Sequence, residues 1–314
     1  MKRIIKKEFG FHGKRMKKGY FEGWYYKITS ETYSIAVIVG INKNTADDHG
    51  FIQTLDTVSG KEQYIRFPLH EVRITNDPFH IEMGDNHFYM DSIKVCIKDP
   101  IAINMHIQLG DFHYLHSSLF APTIMGPFSY IPRMECVHTI YSLHHKVIGK
   151  IEVDKQDLPV YNAIGYIEKD RGTSFPTTYL WLQSNHLCNQ KKASLFLSIA
   201  SIPLYVLDFT GIIMVFMFGN QQLRFGTYYG AKVKVIKKID NNGYKIIMEQ
   251  STYRICIKIY LGKVFTLSAP SMGEMKHKAY ETLTAKGLIH VYKNNRLLLQ
   301  DSFLHAGCEV RGYK

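Results

Sequence analysis

The sequence predicts an all-β protein of antiparallel barrels or sandwiches, on three observations. Apolar residues recur with period two, as in Tyr253, Ile255, Ile257, Ile259 and Leu261 on one strand face, against Arg254, Cys256, Lys258 and Tyr260 on the other. Turn-forming clusters separate many short alternating runs, and long helical periodicity is nearly missing. At 314 residues the chain is long enough for about two domains of ~100–200 residues each, so two barrel-like units are expected rather than one.

The elements follow in order. The opening MKRIIKKEFGFHGKR is basic with no apolar run after it, so it does not read as a secretory signal. Tyr33–Ile41 is a near-continuous apolar strand. Gly84-Asp85-Asn86 predicts a hairpin between Phe79–Met83 and His87–Asp91. The charged bridge Lys150–Pro159 is the best linker, giving domains 1–155 and 156–314. Leu195–Gly219 approaches the length of a membrane span, but Pro203, Asp208 and Gly211 interrupt it. Two buried strands, Ser194–Ile202 and Gly211–Phe218, fit it better. Lysines alternate with valines in Ala231–Ile239, and Asp240-Asn241-Asn242-Gly243 turns that strand back. Gly273–Leu283 is expected to form a short helix. Asn294-Asn295 predicts a last hairpin between Leu288–Tyr292 and Arg296–Gln300.

Composition limits function. Apolar residues make up 46% and charged residues 21%, which is ordinary for a globular chain. The net charge of +12 suits a solvated lysine surface or peripheral contact with an anionic membrane. Lysines spread along strands, without a recognition-helix or RNA-sheet signature, argue against nucleic acid. Cys96, Cys136, Cys188, Cys256 and Cys308 are odd in number, dispersed and form no CxxC. That points to reduced thiols in a cytoplasmic protein, not a disulfide scaffold or zinc ribbon. His113 and His116 face opposite ways on a strand, and His138, His144 and His145 lack a nearby Cys or paired carboxylate at ligand spacing, so no metal is expected. Phosphate-loop, dinucleotide and GxSxG signatures are absent, and no cofactor is expected.

The densest chemistry lies in Gly165–Asn185 (GYIEKDRGTSFPTTYLWLQSN) and Gly19–Lys27 (GYFEGWYYK). Each sets carboxylates among aromatics, which is costly unless the charges are paired or used. Together they suggest a pocket with aromatic walls. Asp170, Glu22 and Glu135 are the candidate acids. Each has a structural alternative: Asp170 pairing with Lys169 or Arg171 or capping its turn, Glu22 bonding backbone or Arg133, Glu135 pairing with Arg133. Trp24, Tyr25, Glu168, Arg171, Tyr179, Trp181, Gln183, Asn185 and Asp301 are candidate ligand contacts, with core packing or strand-end capping as the alternative for each.

These segments resemble the tocopherol cyclase family. The resemblance is carried by Phe21–Lys27 (FEGWYYK), Met125–Cys136 (MGPFSYIPRMEC), Gly165–Asn185, Ser198–Pro203 with Phe209-Thr210-Gly211, and more weakly by Arg224–Ala231 and Leu299–Ser302. It implies two lipocalin-like β-barrel halves related to carotenoid hydratase and attacin-export-like proteins. The implied ligand is a hydrophobic or amphipathic small molecule, an aromatic with an isoprenoid tail. The family's reaction protonates an alkene and closes a ring on the carbocation, without a cofactor. A desolvated carboxylic acid would supply the proton and aromatic faces would steady the cation. Arg171 stands where the family pattern has Trp, which leaves a non-catalytic carrier as the second reading.

Overall fold

The computed structural model describes residues 2–16, 18–44, 47–132, 134–190, 192–204 and 207–313. The chain divides into two compact units. The first holds Met1–Thr123, Ile131–Phe175 and Leu267–Lys278, and the second Ile124–Tyr130, Pro176–Thr266 and Ala279–Lys314. The chain passes between them five times, at 123/124, 130/131, 175/176, 266/267 and 278/279, and none of these points lies in the Lys150–Pro159 bridge. That bridge is the end of one strand and a short return strand paired to it.

The first unit carries β1 (Tyr20–Thr29), β2 (Ser34–Lys43), β3 (His49–Asp56), β4 (Glu62–Pro68), β5 (Val72–Asn76) and β6 (Phe79–Met83). It continues with β7 (Asn86–Tyr89), β8 (Ser92–Ile97), β9 (Ile103–Tyr114), β10 (Cys136–Val153), β11 (Gln156–Leu158) and β12 (Ile164–Gly172). All are antiparallel, in the order β4-β3-β2-β1-β12-β10-β9-β8-β7-β6-β5, with β11 on β10. The two ends of this sheet curl toward each other. A Cβ on Gly50 of β3 would lie 2.4 Å from Val72 Cγ2 of β5, which is why glycine stands there.

Helix α1 (Lys2–Phe9) plugs this unit. Its Phe9, fully buried, stacks on Tyr141 of β10 at 4.4 Å and meets Phe79 of β6 at 4.9 Å and Trp24 of β1 at 6.4 Å. One ring touching three separated strands marks the inside of a curved sheet. Ile5, Trp24, Tyr26, Ile28, Tyr141 and Ile167 belong to the same core.

The second unit carries most of another antiparallel sheet. Its strands are β13 (Tyr179–Ser184), β14 (His186–Leu187), β15 (Ala193–Leu204), β16 (Leu207–Phe218), β17 (Gln221–Gly226) and β18 (Lys232–Lys238). They are followed by β19 (Gly243–Gln250), β20 (Tyr253–Tyr260), β21 (Val264–Ser271), β22 (Glu274–Lys293) and β23 (Arg296–Arg311). The order is β17-β16-β15-β13-β23-β22-β20-β19-β18, with β14 on β23 and β21 on β22. Its core gathers Leu180, Leu182, Leu197, Ile255, Ile257, Ile259 and Phe303. The all-β expectation of two antiparallel lipocalin-like sheets with few short helices holds.

The predicted hairpins form at Gly84-Asp85, Asp240–Asn242 and Asn294-Asn295, where both asparagines have positive φ. Leu195–Gly219 is the hairpin β15–β16; its connection at 205–206 lies outside the described residues. No helix of the described residues is long and apolar enough to cross a membrane. One local expectation fails. Gly273–Leu283 is turn and strand, because Ala279, Glu281 and Leu283 alternate into buried positions along β22. The basic N-terminus is helical, with Ile5 and Phe9, four apart, turned inward as one apolar stripe.

Candidate functional site

The two clusters singled out in the sequence are adjacent strands. β1 pairs antiparallel with β12, placing Gly23 opposite Asp170, Trp24 opposite Lys169 and Tyr25 opposite Glu168. On its other side β12 pairs with β10, which sets His138 opposite Asp170. Side chains alternate, so β12 has two chemical faces. Ile167, Lys169 and Arg171 share the core side with Glu22 and Trp24, whereas Tyr166, Glu168 and Asp170 share the other with Tyr25 and His138.

On the core side, Glu22 and Lys169 form an ion pair at 2.5 Å with both side chains buried. The backbone N–H groups of His12 and Gly13 and the Tyr20 hydroxyl also donate to Glu22, at 2.7–3.0 Å. Lys169 Nζ donates in turn to the carbonyls of Glu8 at 3.0 Å and Gly10 at 2.5 Å. It sits 5.2 Å from the Trp24 ring centre. Burial alone would raise the Glu22 pKa, but Lys169 and the surrounding donors overcome it and hold it at about 2. Burial drives Lys169 down to about 8, with Glu22 opposing. Glu22 is therefore an ionised tie between sheet and N-terminal segment, the opposite of the proton donor the sequence reading made it. Arg133, its other expected partner, lies outside the described residues.

On the far side, the His138 imidazole lies between two carboxylates. Nδ1 is 2.8 Å from Asp170 Oδ1 and Nε2 3.3 Å from Glu168 Oε2. The second is an ion contact without straight hydrogen-bond geometry. The Tyr166 hydroxyl donates to Glu168 Oε2 at 2.6 Å and the Cys136 thiol to Asp170 Oδ1 at 3.3 Å. Burial works against a charged His138, but the carboxylates of Asp170 and Glu168 prevail and raise its pKa to about 10. Burial and Glu168 push the Tyr166 phenol up, so it stays a donor. Burial and Asp170 likewise push the Cys136 thiol up. The result is a row of hydrogen bonds and one ion contact, Cys136–Asp170–His138–Glu168–Tyr166, largely buried on the side of β10 and β12 away from the apolar core.

Asp170 thus pairs neither with Lys169 nor with Arg171, because strand alternation turns both neighbours to the other face. Arg171 reaches Glu8 at 3.5 Å on the core side. Trp24 is a core residue whose indole N–H donates to the Phe9 carbonyl at 2.8 Å. Tyr25 is buried on the His138 side. Glu135 is exposed, outside any apolar pocket, and its carbonyl accepts from Thr173 and Ser174. A Cβ on Gly172, at φ +155°, would come within 2.0 Å of that carbonyl oxygen.

The remaining candidates belong to the second unit. Tyr179, Trp181 and Gln183 share the face of β13 opposite its core. The Tyr179 hydroxyl donates to Glu309 at 2.5 Å, and Gln183 bonds Asn185. Asp301 caps a loop by accepting from Asn189 and Ser302, so of its two readings the cap is the one formed.

Tyr166 escaped the sequence reading, His138 was weighed there only as a metal ligand, and Lys169 only as a partner of Asp170. Reading Gly165–Gly172 as a strand separates Tyr166/Glu168/Asp170 from Ile167/Lys169/Arg171. His138, about thirty residues earlier, has no local signal.

No protein-family model matches the sequence, and no curated protein matches it. Solved structures do, along nearly the whole chain. What they define is a class of fold, the lipocalin-like all-β architecture. Within it, a provisionally assigned AttH protein of Nitrosomonas europaea matches with TM-score 0.56 and 13% identity over 98% of this chain and 95% of its own. CghA bound to Sch210972 matches with TM-score 0.58 and 9% identity, covering 93% and 88%. Kievitone hydratase of Nectria haematococca matches with TM-score 0.52 and 11% identity, covering 93% and 89%. At these identities the likeness is one of fold.

Proposed function

We propose that the protein is a cofactor-independent proton-transfer enzyme that adds an O–H group across a carbon–carbon double bond of a hydrophobic ligand with an aromatic or quinone-like head. The addition is hydration when water supplies the O–H and ring closure when the ligand's own phenol does. The observation that carries this reading is the buried His138 held between Asp170 and Glu168. An imidazolium of pKa near 10 is too weak an acid for an isolated alkene. It suits a double bond polarised by conjugation, where negative charge builds as the nucleophile arrives. In this scheme His138 gives a proton to one carbon while the oxygen bonds the other. The proton released from oxygen passes to Asp170 or Glu168 and returns to His138, so nothing is oxidised or reduced. Tyr166 holds Glu168 in place. The tocopherol cyclase resemblance and a fold neighbour named as a hydratase support the reaction class; neither specifies the substrate.

The test is turnover of prenylated, enone-bearing phenols in D2O, followed by mass spectrometry. One solvent deuteron per product at carbon is expected, with Asp170→Asn and His138→Gln slowing the reaction about 10²–10⁴-fold. A wild-type protein that binds these compounds and returns them unchanged refutes catalysis. That outcome would favour a hydrophobic-ligand carrier, a reading supported by how fully His138 is already satisfied by its two carboxylates.

A further inference from the structure

Strand β6 alternates Phe79, Ile81 and Met83 into the core with His80 and Glu82 outward. Across the hairpin, β7 turns His87 and Tyr89 to the same outer face, His87 opposite Glu82 and Tyr89 opposite His80. Three ligand-type side chains of the first unit thus meet on one hairpin. His80 Nε2 and His87 Nδ1 are 3.1 Å apart, and one ring nitrogen of each histidine and a Glu82 carboxylate oxygen lie within 4.8 Å of one another.

We propose that His80, His87 and Glu82 form a binding site for a divalent transition ion of zinc type. Two imidazole nitrogens each ~2.0–2.1 Å from one ion stand about 2.9 Å apart at a right angle and about 3.3 Å apart in a tetrahedron. The observed 3.1 Å corresponds to an angle of about 98° at the metal, so one ion can be held at this separation once the two rings, whose centres are 5.3 Å apart, tilt to aim both nitrogens at it. The donor set, two imidazoles and a carboxylate with room left for water, is that of a borderline ion and not of calcium or magnesium, which favour all-oxygen cages. The supporting contacts also fit. The Tyr89 ring stacks on His80 at 4.3 Å and 2° and fixes its plane. Arg73 lies 3.7 Å from Glu82 and steadies the carboxylate. The other trio in this unit, His138 with Glu168 and Asp170, has each ring nitrogen turned onto a carboxylate, so its imidazole is engaged already.

The site is tested on tag-free, chelator-washed protein titrated with ZnCl2 by calorimetry, with CoCl2 as a spectroscopic probe. One zinc ion per chain is expected, with visible Co2+ bands of a low-symmetry, nitrogen-containing site. His80→Ala and His87→Ala should each lower zinc affinity at least 100-fold, Glu82→Gln about 10-fold, and His138→Gln not at all. Absence of zinc binding to the wild type overturns the proposal, as does full binding by His80→Ala. The Co2+ spectrum of the wild type decides even if a variant folds poorly: bands of an all-oxygen octahedral ion overturn the site.

Discussion

The buried imidazolium has a thermodynamic signature that can be read without knowing any substrate. His138 has a pKa of about 10 in the fold against 6.5 when unfolded. A group raised in the folded state stabilises fully below its unfolded value and loses that contribution as pH rises toward the folded one. Between pH 6.5 and 8 the unfolded chain gives up the His138 proton while the folded chain keeps it, which costs between 1 and 2 kcal/mol. Any folded value above about 9 gives the same loss in this window. Lys169 works in the other direction. Its pKa falls to about 8 from 10.5, so it returns less than half a kcal/mol by pH 8 and most of its effect between 8 and 10. Stability should therefore fall by about 1 kcal/mol from pH 6.5 to 8 and then level off toward pH 10. The assay is urea unfolding of a Trp181→Phe background, in which Trp24 fluorescence reports the first unit alone. In that background His138→Gln should reverse the trend to a slight rise. A wild-type stability that stays flat or climbs from pH 6.5 to 8 refutes the charged triad, as does a His138→Gln variant that falls in parallel.

Other perturbations separate the remaining parts of the structure. Glu22→Gln leaves the Lys169 ammonium buried without its counter-charge and should cost about 3–5 kcal/mol in denaturant unfolding. A loss under 1 kcal/mol would mean the pair is not buried as described. Phe9→Ala removes the ring between Tyr141, Phe79 and Trp24 and should cost about 3–5 kcal/mol, measured the same way. Gly165→Ala would place a methyl 1.9 Å from His145 Nε2, and a loss of about 1–3 kcal/mol is expected, since the fully buried imidazole has little room to retreat. Lowering the pH from 4.5 toward 2 should remove the Glu22 contribution, because its carboxyl binds a proton more readily unfolded than folded.

The fold was legible where period and turn chemistry agreed. The 253–261 alternation and the Asp240–Gly243 and Asn294-Asn295 turns specify strand and hairpin locally, and tertiary structure only had to accept them. The 273–283 stretch misled because Ala, Glu, Leu and Lys favour helix, and burial of alternate residues in a sheet overrode that preference. The site was half legible. Glu168 and Asp170 were recognised as carboxylates that needed a reason. Their partner was sought among sequence neighbours, and on a strand sequence neighbours point to the opposite face. His138 reaches them only through the pairing of β10 with β12, which no local pattern encodes. Trp24 and Arg171 were assigned to a ligand wall for the same reason, since nothing in GYFEGWYYK tells the two faces of β1 apart until α1 is known to fill one of them.

The tie at Lys169 also has a consequence for how the chain is made. Helix α1 and Glu22 leave the ribosome nearly 150 residues before the ammonium that binds both. Until β12 is available, a nascent chain has Glu22 without its cation and the Glu8 and Gly10 carbonyls without their donor. Early, stable closure of the first sheet around its helix is thereby disfavoured, and closure of so long a loop is slow. Synthesis paused before residue 169 should yield a protease-sensitive chain with exposed apolar strands, the kind of intermediate that chaperones hold.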